Sequence, residues 1–167
     1  MPQSQDPASQ DPASPDPACQ DPAGLLGTWR QLSAVTENLS TGERTNVFRG
    51  EPVGFVQFTP DGRVTLMTID TVRKKPAGDI PTAEEASELY RTMIAYSGTF
   101  AISGNSVTYD LDITWNENWT GTLQLRYWQL RDGKLLVWTP EFDDPFKGGR
   151  AVHRLSFEKM KPGDNRL

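Results

Sequence analysis

The strongest constraint on this chain is a set of tight-turn sequences set between short β-rich runs: Thr59-Pro60-Asp61-Gly62, Ser103-Gly104-Asn105-Ser106 and Arg131-Asp132-Gly133-Lys134. Their Gly, Asn and Asp residues supply the positive φ angles that a hairpin needs. Strands flanking such turns pair sequentially and antiparallel. The pattern predicts strands over Thr28 to Thr36, Phe55 to Thr59, Arg63 to Asp70 and Thr99 to Ser103, then Val107 to Trp115, Thr122 to Leu130, Leu135 to Pro140 and Ala151 to Lys159. A weaker ninth lies near Thr45 to Phe48.

One segment departs from strand periodicity. Thr82-Ala83-Glu84-Glu85 has the form of a capping box, and Ala83, Ala86, Leu89, Tyr90, Met93 and Ile94 recur at helical spacing. A helix is predicted over Thr82 to Tyr96, lying against an open end of the sheet structure. About eight short antiparallel strands with one helix fit a closed barrel better than a sandwich, because closure removes the sheet edges. A barrel of that size has room for one small ligand.

The folded domain is placed at residues 25–160, with a short C-terminal tail at 161–167. Before it, Gln5 to Gly24 is a five-residue repeat in four copies, QDPAS, QDPAS, PDPAC and QDPAG. Recurrent Asp-Pro removes backbone donors, and no apolar residue larger than Ala offsets the entropy of ordering, so residues 1–24 read as a disordered tail. The net charge of -5, with no basic stripe, argues against nucleic acid as a partner. The single cysteine, Cys19, forms no intramolecular disulfide, and one histidine with no recognised ligand spacing gives no support for a metal site. No Gly-rich loop precedes a helix, so no nucleotide or other cofactor is implied. With no signal-like segment and no apolar run near the roughly 20 residues of a membrane span, a cytoplasmic protein without a membrane partner is expected, and the two Asn-x-Ser/Thr sequons at Asn38 and Asn118 read as chance matches.

Alternation indicates which side chains face inward. Val107, Tyr109, Leu111, Ile113 and Trp115 form the apolar face of their strand. A two-residue loop at Asp132-Gly133 places Leu130 opposite Leu135, Trp128 opposite Val137 and Arg126 opposite Thr139. The other face of that pair, Tyr127 with Trp138 and Gln129 with Leu136, is apolar as well. The first is taken as inward for its larger aliphatic content. In the last strand His153 falls with Ala151, Leu155 and Phe157.

Several motifs in order along Leu25 to Lys159 resemble the bacterial and fungal lipocalin-like domain family: Gly27-Thr28-Trp29, Pro52-Val53-Gly54-Phe55 leading to Thr59-Pro60-Asp61-Gly62, Ala95 to Phe100, Asn118-Trp119-Thr120-Gly121-Thr122 with Arg126 downstream, Leu135 to Pro140, and Arg154-Leu155. The resemblance implies an all-β, calycin-type barrel. Barrels of this general type include transport proteins and cofactor-free enzymes that cyclise or isomerise polyketide and terpenoid intermediates, so the fold does not fix the function. It also implies a structural stacking pair between Trp29 and a late-strand arginine, Arg154. At one or both of Tyr109 and Asp110 the family pattern would place histidine, and the difference puts His-dependent chemistry there in doubt.

Arg126 is the most informative candidate, because a guanidinium inside an apolar barrel requires a carboxylate or a ligand oxygen. An internal pair with Asp110, Asp112 or Glu141, or an Arg126 that simply faces outward, is the alternative. His153 is the first candidate for acid-base work and Tyr109 offers a phenolic proton, giving Arg126, Tyr109 and His153 as candidate catalytic residues. Tyr96, Leu111, Ile113, Trp115, Trp119, Gln124, Trp128, Val137 and Thr139 are the candidate ligand-binding set. The expected function is binding of a hydrophobic small molecule in the lumen, with cofactor-independent cyclisation or isomerisation of a polyketide or terpenoid intermediate. The alternatives are a non-catalytic carrier of such a molecule and a partner-binding module that uses the tail as a docking arm. Nothing in the sequence sets the oligomeric state.

Overall fold

The computed structural model describes residues 21–164. The tail expected at residues 1–24 lies outside that range except for its last four residues. Of these, Pro22 to Gly24 join Leu25 in a 3-10 turn, capped by the Asp21 carboxylate accepting from Ala23 N. Leu25 is fully buried there, and its carbonyl accepts from Trp29 Nε1 at 2.8 Å.

Ten strands and one helix follow. They are β1 (Gly27–Asn38), β2 (Arg44–Asn46), β3 (Pro52–Phe58), β4 (Arg63–Asp70), α1 (Ala83–Arg91), β5 (Met93–Ser103), β6 (Ser106–Thr114), β7 (Leu123–Arg131), β8 (Lys134–Trp138), β9 (Phe142–Asp143) and β10 (Arg150–Lys159). Neighbours pair antiparallel in the order β1-β3-β4-β5-β6-β7-β8-β10, and β10 returns to β1. The result is a closed eight-stranded antiparallel barrel. The short β2 and β9 hang on β1 and β10 outside that circuit. Among the described residues no helix is long and apolar enough to cross a membrane.

Sequential up-and-down pairing sends alternate connections to opposite ends. The three tight turns, with positive φ at Gly62, Gly104, Asp132 and Gly133, share one end with the 3-10 turn. The four long connections, carrying β2, α1, the 3-10 turn Glu117–Trp119 and β9, share the other. The first end is solidly filled. Trp29, Phe58, Val64, Val107, Trp128, Leu135 and Phe157 are each at most 2% exposed. The Asp132-Gly133 hairpin has the expected register, Leu130 with Leu135 and Trp128 with Val137, and buried Trp128 and Val137 put that face inward.

Three sequence expectations are corrected. The helix ends at Arg91, not Tyr96, because Thr92 folds its hydroxyl back onto the carbonyls of Glu88 and Leu89, and Met93 to Tyr96 are taken into β5 by pairing with β4. Its capping box is present, with Thr82 and Glu85 exchanging hydrogen bonds. The cation over Trp29 is Lys159, 5.0 Å from the ring centre and directly opposite in register, while Arg154 is ion-paired with Glu37. Lastly, Ile113 points outward. Opposite β5 the register skips Asp112, with Gly98 facing Leu111 and Ser97 facing Ile113, so a bulge inverts the alternation at this point. Gly98 is required there, since a Cβ would lie 2.1 Å from the Asp110 carbonyl oxygen.

The bulge makes neighbouring apolar residues unequal. Leu111 is 1% and Ile113 67% exposed. Leu111→Ala is expected to cost about 2–5 kcal/mol in urea denaturation and Ile113→Ala less than about 0.5 kcal/mol; equal costs would show that the alternation runs on unbroken.

Candidate functional site

The barrel is not filled evenly. Toward the end with long connections, inward residues become smaller or polar, as in Gln31 and Ala34 on β1, Thr68 on β4 and Gln124 on β7, and a cavity of about 490 Å³ opens. Leu66, Ile94, Tyr96, Trp115, Trp119 and Leu155 line its apolar walls. The long connections add Val47, Phe48, Pro140 and Phe142 at the rim. Trp115 and Trp119 meet edge to face at 4.9 Å, Trp119 lies 6.2 Å from the Tyr96 ring, and the indole of Trp115 donates to the carbonyl of Tyr90 at the end of α1.

Arg126 reaches this cavity from β7. Its Nη1 donates to the carbonyl of Leu125 at 2.7 Å and its Nη2 to Gln124 Oε1 at 3.3 Å. No carboxylate among the described residues pairs with it. Asp110 and Asp112 face outward, the latter bound by Arg63, and Glu141, although it lines the rim, is 3.4 Å from Arg150. The internal ion pair that sequence reasoning left open is therefore not formed. A guanidinium in an apolar cavity with only neutral partners retains capacity for an oxygen ligand.

His153, also on the cavity wall, stands directly opposite Thr36 in the β1–β10 ladder, and its Nδ1 is 2.9 Å from the Thr36 hydroxyl. Its backbone N–H donates to Thr139 Oγ1 at 3.0 Å, and its ring packs on Phe142 with centres 4.5 Å apart. Burial first, and then the Arg126 charge, push the imidazole below the ordinary histidine range, with Asp144 opposing. It is neutral at pH 7. Burial raises the Tyr96 phenol above its usual range and raises Tyr109 as well, there with a contribution from Tyr96, while Arg126 pulls both the other way. Both phenols keep their protons.

The structure brings Arg126, His153, Tyr96, Trp115, Trp119, Gln124 and Thr139 to one cavity. It places Tyr109 behind Tyr96, 6.0 Å between rings and against Phe58, where it supports the wall without lining it. Leu111, Trp128 and Val137 belong to the packed core beside it, and Ile113 faces outward. Sequence reasoning missed Gln31 and Thr68, which bond to each other over Gly54 of the intervening β3, and Phe48. Alternation from Trp29 could have indicated Gln31. Phe48 sits in a connection, where alternation gives no signal.

The Phe48 segment is held from behind. Asp70, 1% exposed, accepts from the backbone N–H groups of Arg49, Gly50 and Val72 at 3.0–3.1 Å. Burial alone would raise this carboxyl, but the three N–H bonds and the Arg49 charge outweigh it and hold it below the usual carboxylate range.

The sequence profile of the lipocalin-like domain matches residues 26–160, most of the chain. The chain belongs to the lipocalin-like domain family. No curated protein matches it. The lipocalin-like barrel suggests small-molecule binding.

Asp70→Ala is expected to lower stability by about 2–3 kcal/mol at pH 7 in urea denaturation. Because the folded-state carboxyl is depressed, the wild-type advantage is present above the usual carboxylate range and lost as pH falls through the lowered value, so the two proteins should converge in acid.

Proposed function

We propose that this lipocalin-like domain binds an apolar molecule bearing a carbonyl or carboxylate oxygen, seats that oxygen on Arg126, and acts as a cofactor-independent isomerase or cyclase on a polyketide or terpenoid intermediate. The observation that carries this reading is the Arg126 guanidinium, without a carboxylate partner among the described residues, in an aromatic-walled cavity of about 490 Å³. A cytoplasmic setting, supported by a composition with one cysteine, belongs to the same reading.

The chemistry follows from what each side chain offers. A carbonyl oxygen against the guanidinium is polarised, and an enolate formed there is stabilised in a site of low dielectric. Neutral His153 takes a proton from the carbon next to the carbonyl and returns it to another carbon, so substrate and product are isomers and no electrons are lost. For ring closure the enolate carbon attacks a second electrophilic carbon of the same chain, with the aromatic walls holding the folded conformer. Tyr96, protonated and facing the same space, donates to the new oxyanion, and Tyr109 positions Tyr96 from behind.

A carrier function without chemistry is the second reading. It is favoured by the commitments of His153, whose Nδ1 is bonded to Thr36 and whose ring is stacked on Phe142.

Kinetics and binding on the same variants separate the two. For an enzyme, His153→Gln lowers kcat by about 10²–10⁴-fold, and the wild-type rate falls only when pH drops below the ordinary histidine range, where the depressed imidazole gains its proton. Arg126→Ala then reduces both affinity and turnover. For a carrier, Arg126→Ala weakens binding by about 10–100-fold, His153→Gln has little effect, and no substrate is turned over. Unchanged binding in Arg126→Ala contradicts both readings.

A further inference from the structure

A second hollow of about 510 Å³ adjoins the lumen on the side of the β9–β10 hairpin. Three residues, Val47, Phe142 and His153, line both spaces, so the two are immediate neighbours. The outer boundary of the hollow is the hairpin itself. Lys147 Nζ reaches Glu43 Oε1 at 2.6 Å and Thr45 Oγ1 at 2.8 Å, and Asn38 Nδ2 donates to the Gly148 carbonyl at 3.2 Å. These contacts hold the hairpin against the β1–β2 turn. Beside them Phe146, also lining the hollow, is 94% exposed.

Two features give this space a direction. Its cation, Lys147, already has a carboxylate and a hydroxyl as partners, whereas Arg126 in the lumen has no carboxylate partner among the described residues. A ligand's polar head therefore belongs inside. A nearly uncovered phenylalanine over a hollow adjoining an apolar lumen gains by being covered with hydrocarbon. We propose that the hollow is a tail subsite, and that the ligand is an elongated, single-headed amphiphile, with its oxygen head on Arg126 and its apolar chain passing Val47 and Phe142 to end on Phe146. A compact, multi-ring ligand would use the lumen alone. The proposal rests on the reading that a ligand oxygen sits at Arg126.

Unbranched carboxylic acids from octanoate to tetradecanoate are the probes, titrated by tryptophan fluorescence against the full chain, Phe146→Ser and Arg126→Ala. Phe146 is exposed, so its substitution leaves folding intact. In wild type, Kd should tighten through the whole series, by up to about four-fold per methylene. Phe146→Ser should leave octanoate unchanged and weaken tetradecanoate about ten-fold. Affinity that peaks at octanoate, or tetradecanoate binding that ignores Phe146→Ser, overturns the tail subsite. The Arg126→Ala arm distinguishes the two failures. If it weakens every acid while Phe146→Ser changes none, the tail subsite falls and the head position stands. If octanoate binds wild type and Arg126→Ala alike, or if no acid binds, the head position fails and the subsite falls with it.

Discussion

The ladder between β1 and β10 is the constraint on which the rest of this structure depends. Sequential hairpin pairing joins every other barrel strand to its neighbours, but it leaves the first and last with one free edge each. The register from Trp29–Lys159 to Asn38–Ala151 removes both edges. It also decides the shape of the interior. An extra residue at Leu32, between Gln31 and Ser33, inverts alternation partway along β1, so that Trp29 and Gln31 face inward below it and Ala34 and Thr36 above it. Beyond that bulge β1 leaves β3 and pairs with β2, and here the wall departs from the packed end. His153 faces the cavity because the same ladder sets it opposite Thr36.

The function proposed for the site grows out of uneven filling. Where tight hairpins close the barrel, Trp29, Trp128, Phe58 and Phe157 occupy the interior completely. Where long connections close it, small and polar side chains leave room, and the connections return only part of the lost apolar contact through Phe48, Trp119 and Phe142. Arg126 lies at the boundary of these regimes, one inward step from fully buried Trp128. Its charge adds to burial in lowering the His153 imidazole and opposes the rise of both phenols.

The circuit of strands was legible in the sequence because its turns are local: Asp132-Gly133 and Gly104-Asn105 specify their hairpins within a few residues. Inward faces were legible wherever strict alternation held, which is why Arg126, Gln124 and Trp128 were placed on one face. Alternation failed at bulges, since Asp112 gives no sign in sequence that it will be skipped, and Ile113 was accordingly assigned to the lumen. The helix was overrun because Met93 and Ile94 suit both a helical and a β pattern, and pairing with β4, a long-range interaction, decides between them. Cavity walls built from connections, such as Phe48 and Phe142, had no period to betray them. The two-residue β9 was likewise too short to show a pattern.

The central claim is that Arg126 is the oxygen-binding group of an apolar cavity. A crystal structure of the protein grown with a saturating apolar carboxylic acid tests it most directly. A carboxylate oxygen is expected within hydrogen-bond distance of the Arg126 guanidinium, with the chain lying against Trp115, Trp119 or Phe142. A carboxylate held at the surface by Lys147 or the Lys74-Lys75 segment, with the lumen occupied by rearranged side chains, would contradict it.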